Sequence, residues 1–127
     1  MNRHMRSGPG WRLGWDPAAL EFTGLVAGDT WAVELTPSEL SDFCRTARQL
    51  GQTMAELASQ LMDEEHLTCE QETTTLWLEA DGFPHAYSLR FILLTGRKSE
   101  GEWSVDATRE LIKALSSPPF SDIGVNS

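Results

Sequence analysis

The densest set of groups capable of chemistry is Asp63-Glu64-Glu65-His66-Leu67-Thr68-Cys69. On a continued helix, Asp63 would face His66 and Glu65 would face Cys69, at spacings of three and four. Zinc needs three or four converging ligands. Cys69 falls on the strand that follows, and no second Cys/His pair supports a closed site, so no metal site is predicted. Nucleophilic chemistry is no better served. Cys44 sits beside Phe43 on the apolar side of a helix, where cysteine packs as a small hydrophobe. His4, His66 and His85 fall in a loose terminus, at a helix end and in a turn, and only folding could pair His85 with Cys69. Gly8-Pro9-Gly10 lacks the lysine and the following helix of a phosphate loop. No catalytic residue, cofactor or metal is assigned, and the chain reads as non-enzymatic.

What the cluster does offer is charge. Three acids near a helix C-terminus oppose the macrodipole by about 0.3–1 kcal/mol each. That misfit favours an interaction surface. The 127 residues hold 19 acids and 10 bases, a net charge of −9. From Gln49 to Leu89 there is no Lys or Arg, while eight acids fall there. Asp63, Glu64, Glu65, Glu70 and Glu72 are the candidate partner surface, because Glu70 and Glu72 share one face of a strand. The partner expected is an unidentified protein, basic in character. The alternative is a nucleic-acid patch of Arg12, Arg90, Arg97 and Lys98, with some of the five tryptophans as stacking platforms. Phosphate binding depends on Lys and Arg, and the net charge disfavours it.

The elements that must position these groups follow from periodicity. Trp11, Leu13 and Trp15 alternate until Asp16-Pro17 breaks the run. Phe22 to Val26 is a second run, Ala27-Gly28-Asp29-Thr30 a turn, and Trp31, Val33 and Leu35 a returning strand. Tryptophans 11, 15, 31 and 77 alternate as core residues would. Thr36-Pro37-Ser38-Glu39 is a capping box with proline at the first helical position. Leu40, Ala47, Met54 and Leu61, interleaved with Phe43, Leu50 and Leu57, mark a helix from Pro37 to about Met62. At ~1.5 Å per residue it is about 39 Å long, against a radius of gyration of ~14 Å for such a chain. Either Gly51 bends it or one end packs on a second copy, a homodimer through the long helix. Leu67 to Asp81 reads as two strands and Ala86 to Thr95 as a central one, with Tyr87, Leu89, Phe91 and Leu93 on one face. Gly96 to Gly101 reads as a polar loop. Ser104 caps a shorter helix with Thr108, Leu111, Ile112 and Leu115 as its stripe.

The expected fold class is therefore α+β: antiparallel sheets, one long and one shorter helix, arranged as two repeated strand-strand-strand-helix units. Residues 1–9 are expected to be flexible, 10–115 to form one domain, and 116–127 to be a mobile tail. No apolar run approaches the roughly 20 residues of a membrane helix. Met1 to Arg6 has charge but no apolar stretch behind it, and two cysteines cannot form a disulfide scaffold. The expected setting is the cytoplasm, without membrane contact.

The blocks Gly8-Pro9-Gly10-Trp11-Arg12-Leu13-Gly14-Trp15-Asp16-Pro17, Leu61-Met62-Asp63-Glu64-Glu65, Leu76-Trp77-Leu78-Glu79-Ala80 and Gly82-Phe83-Pro84-His85-Ala86-Tyr87-Ser88-Leu89-Arg90-Phe91-Ile92-Leu93 carry a resemblance. The chain resembles the small cyanobacterial proteins of domain-of-unknown-function family 1818, from about Arg6 to Leu115. The resemblance brings no activity and no catalytic residue. It implies a fold similar to the Whirly-type regulators that bind single-stranded DNA, and a cyanobacterial cytoplasm. Fold alone does not carry function across.

Overall fold

The computed structural model describes residues 3–60 and 64–125. Two successive units share one plan. Strands β1 (His4–Gly8), β2 (Trp11–Trp15), β3 (Gly24–Ala27) and β4 (Ala32–Leu35) form one antiparallel sheet in chain order, followed by helix α1 (Pro37–Ser59). Strands β5 (Leu67–Glu72), β6 (Leu76–Phe83), β7 (Ala86–Leu93) and β8 (Glu100–Trp103) form the second, followed by helix α2 (Val105–Leu115). The class is α+β, and each unit has four strands where the periodicity indicated three. The two extra strands, β1 and β8, lie at sheet edges; β1 is polar, and β8 alternates over only four residues with Trp103 as its one large apolar side chain, so neither shows a long apolar alternation.

The capping box forms as read. Thr36 Oγ1 accepts from the Glu39 amide at 3.3 Å, and Glu39 Oε1 accepts from the Thr36 amide at 2.9 Å. Helix α1 runs through Gly51 without a break and is capped at Gln60. Leu40, Phe43, Ala47, Leu50 and Met54 are buried, whereas Leu57 is only partly buried; Leu61 and Met62 lie outside the described residues. Helix α1 packs on β3 to β6, and α2 on β1, β2, β7 and β8, so each helix touches both sheets. The apolar stripe of α1 is thus covered within the chain as far as Met54. Beyond the first turn, the exposed residues of α1 are Gln49, Gln52, Ala55, Glu56 and Ser59.

An aromatic cluster joins the units. The Trp103 ring lies 5.0 Å from Trp31, 5.7 Å from Phe43 and 5.6 Å from Phe91. Its indole N–H donates to the Ala27 carbonyl of the first sheet at 2.9 Å. Gly101 is bare where Trp31 lies across β8; a Cβ there would run into the ring. Among the strand tryptophans read as core, Trp11 is buried, but Trp15, Trp31 and Trp77 are half-buried.

Both ends carry structure outside residues 10–115. His4 to Gly8 pair with Trp15 to Trp11, and His4 stacks on Trp15 with ring centres 5.5 Å apart. The C-terminal segment is also anchored through residue 123. Phe120 is fully buried. The Arg48 guanidinium donates to the carbonyls of Phe120, at 3.0 Å, and of Ile123. A hydrogen bond from so distant a residue leaves no local mark in the sequence.

Candidate functional site

Strand alternation sends Leu76, Leu78, Ala80, Leu89, Phe91 and Leu93 inward, all buried. The opposite residues of the second sheet therefore share its outward face. Cross-strand register arranges them in rows. One row is Glu70, Glu79, Arg90 and Glu102; the next is Glu72, Trp77, Ile92 and Glu100. Asp81 lies beyond Glu79, opposite Thr68, whose hydroxyl donates to it at 2.7 Å. Strands β5 to β8 carry six carboxylates and one base, Arg90.

Arg90 holds the centre of this face. Its guanidinium lies 5.1 Å from the Trp77 ring centre, a cation–π distance. Its Nε is 3.9 Å from Glu79 Oε1, too long for a hydrogen bond, and that buried Nε has no partner among the described residues. Glu70 stands directly opposite Glu79, a like-charge cross-strand pair. Such pairs oppose sheet formation. Half-buried Trp77 and Ile92, with exposed Phe83 and Leu94, supply apolar surface among the carboxylates.

The residues singled out from sequence are placed as follows. Glu70 and Glu72 are exposed on this face, as their spacing required. Glu64 and Glu65 are exposed in the turn before β5, and Asp63 lies outside the described residues. Glu79 and Asp81 share the Trp77 face as read, but Glu100 and Glu102 were missed as part of it. Their signal was the alternation Glu100-Gly101-Glu102-Trp103, ending in a buried aromatic.

The four basic residues do not converge. Arg12 is exposed on the first sheet, opposite Ser7 and Ala27. Arg90 belongs to the acidic face of the second. Arg97 lies in the β7–β8 loop and donates to Glu39 and, at 3.1 Å, to the Glu34 carbonyl. It also packs 4.8 Å from the Phe22 ring centre. Lys98 is exposed at φ 50° in the same loop.

Glu39 is the most buried carboxylate of the described residues, at 3% exposure. Burial disfavours its charge, but the Thr36 amide, Arg97 and Thr95 outweigh that and hold its carboxyl below the ordinary 4.5. Asp42 is likewise held below 3.8: burial opposes its charge, and Thr75, Arg45 and Thr73 outweigh it. Both are structural ties. Burial pushes the Cys44 thiol up to about 12, so it is an inert core group. Cys69 is half-buried on β5. His66 Nε2 lies 3.5 Å from Asp81 Oδ2. Among the described residues no three His, Cys, Asp or Glu side chains gather as metal ligands.

The model of the family described as "Domain of unknown function (DUF1818)" matches residues 6–117. The chain belongs to this family. Its structure is similar to a protein with unknown function, described as from the DUF155 family, from Prochlorococcus sp. NATL2A. The TM-score is 0.82 at 30% identity, covering 90% of this chain and 96% of that one. A cyanobacterial protein therefore shares this family member's fold. No curated protein matches the chain. No helix among the described residues is long and apolar enough to cross a membrane.

Proposed function

We propose that this family member is a non-enzymatic, cytoplasmic binding module that holds a basic protein partner on the outward face of β5 to β8. The observation that carries the reading is the row Glu70, Glu79, Arg90 and Glu102, with Glu70 and Glu79 in direct like-charge register. A sheet face serving only solubility would gain stability from a lysine at either position. Trp77 and Ile92 lie between Glu72 and Glu100, so apolar contact and charge complementarity fall on one surface. Such surfaces set partner choice and association rate.

The succession of two four-strand-and-helix units supports a Whirly-like reading of the fold. A nucleic-acid role is the weaker reading, because Arg12 and Arg90 lie on different sheets and Arg97 is paired with Glu39. A homodimer through the long helix is also a weaker reading, because Gln49, Gln52, Ala55 and Glu56 give its exposed middle little apolar surface.

The test is a lysate pull-down with the wild type and with Glu70→Lys/Glu72→Lys/Glu102→Lys, each with and without nuclease. The expected result is a nuclease-resistant basic protein that the triple variant fails to hold. Retention by the variant, or loss on nuclease treatment, sinks the proposal. So does sub-micromolar binding of a single-stranded oligonucleotide with a steep salt dependence.

A further inference from the structure

A cavity of about 220 Å³ lies where the start of β7 meets α2, away from the acidic face. Val105 and Ile112 line it with the Tyr87 ring, and His85, Arg109 and Lys113 line it with donors. Its lining includes no carboxylate, in a chain of net charge −9. Arg109 has one acidic contact, Asp106 at 3.4 Å, but both side chains are exposed and the pair is weak. The Lys113 ammonium has no ion-pair partner among the described residues.

The apolar back of the cavity lies against Gly51 of α1. A Cβ there would meet Ile112 Cγ2 closely, at 3.2 Å, and Tyr87 Oη at an ordinary contact distance of 3.6 Å. The bare backbone gives Ile112 its room against α1. Burial raises the Tyr87 hydroxyl above its ordinary value, and no hydrogen bond within the described residues acts on it. It is a neutral donor beside the cations Arg109 and Lys113 and the His85 imidazole, and the Thr108 hydroxyl that also lines the cavity is already tied to the Trp103 carbonyl. Apolar walls with convergent donors are the general form of a small-molecule site.

We propose that this cavity binds a small organic anion with an apolar body, its acidic head between Arg109 and Lys113 and its body against Val105, Ile112 and Tyr87. Arg109 and Lys113 stand four apart on one helix face, so one head group can meet both. A bare inorganic anion would leave the apolar walls unused. A neutral ligand would leave the cations unused. The proposal goes beyond the acidic-face reading and is independent of it.

The test is a chemical-shift titration of the full chain with three probes: 4-phenylbutyrate, its neutral amide and inorganic phosphate. The expected result is saturable shifts at His85, Tyr87 and residues 105–113. The carboxylate should bind at least about tenfold more tightly than either other probe. Arg109→Glu/Lys113→Glu should weaken it by about tenfold or more. Both residues are exposed, and Lys113→Gln provides a milder variant expected to weaken it about threefold. Equal binding of the amide or of phosphate, shifts confined to other regions, an absence of saturable shifts, or unchanged affinity in both variants overturns the proposal.

Discussion

The two sheets are built alike and dressed differently. Inward, Leu13, Val26 and Leu35 of the first and Leu78, Leu89 and Phe91 of the second are all at 0% exposure. Over all residues of their strands, the first sheet carries two arginines and one glutamate, against one arginine and six carboxylates in the second. Packing accounts for the inward likeness, because both sheets cover the same pair of helices. It does not account for the outward difference, since the first sheet folds without such charge. The acidity of the second sheet is therefore free to serve recognition. Four sets of substitutions, ordered by expected effect on stability, can break or sharpen that contrast.

The largest effect should come where the sheets meet. Trp103 is fully buried against Trp31, Phe43 and Phe91 and donates to the Ala27 carbonyl. Trp103→Ala should cost about 3–5 kcal/mol in urea denaturation. Trp77→Ala, on the outward face, should cost nearer 1 kcal/mol, mainly its cation–π contact with Arg90. Equal costs would mean that the two faces do not divide core from surface as described.

Next comes the tie between the β7–β8 loop and the first unit. Arg97→Ala leaves the Glu39 carboxylate buried without its cation, at a cost of about 1.5–3 kcal/mol. The same tie sets an acid dependence. Glu39 and Asp42 both have folded values below their ordinary 4.5 and 3.8. Their contribution is present above those ordinary values and is lost as pH falls below them, through the lower folded values. Glu39→Gln should flatten the decline in stability below about pH 4.5. An unchanged acid limb would assign that decline to Asp42 rather than to Glu39.

The same contrast explains what could be read in advance. Inward faces declare themselves through apolar alternation, so β6, β7 and the stripes of both helices were legible, as was the Thr36 cap. Strand β1, with Arg6 and Ser7, has little to bury and shows no such alternation, while β8 alternates over only four residues and has Gly101 at one of its two inward positions, too short a pattern to stand out from a polar loop. The contacts of the C-terminal segment were hidden for a related reason. Pro118-Pro119 and its small polar residues suggest mobility, while Phe120 and the reach of Arg48 from α1 hold it. At the candidate site, period two placed Glu70 with Glu72 and Glu79 with Asp81. It could not place one pair opposite the other, or bring in Glu102, because register between strands is non-local.

A smaller effect with an informative sign is expected at Glu70. Glu70→Lys turns a like-charge pair with Glu79 into an opposite one. Stability should rise by about 0.2–1 kcal/mol. Capture of the basic partner should fall in the same protein. A variant that is both destabilised and unaffected in capture would remove the argument that this face trades stability for recognition.

The smallest effect is expected from Glu64→Lys/Glu65→Lys. Both residues are exposed in the turn before β5, so each should change stability by about 0.5 kcal/mol or less. Their effect on capture follows from distance. At about 3.3 Å per residue, Glu72 stands about 17 Å along β5 from Leu67, the end that this turn adjoins. Screening in physiological salt extends only about 8 Å. Reversed charge in the turn is therefore felt near Asp81 and Thr68, and hardly at the row of Glu72, Trp77, Ile92 and Glu100. Capture should fall far less than with Glu70→Lys/Glu72→Lys, compared at matched salt, with circular dichroism as the folding control. If the turn variant loses as much capture as the strand variant, the partner reads net charge rather than the face, and the two sheets differ only in how much charge they carry.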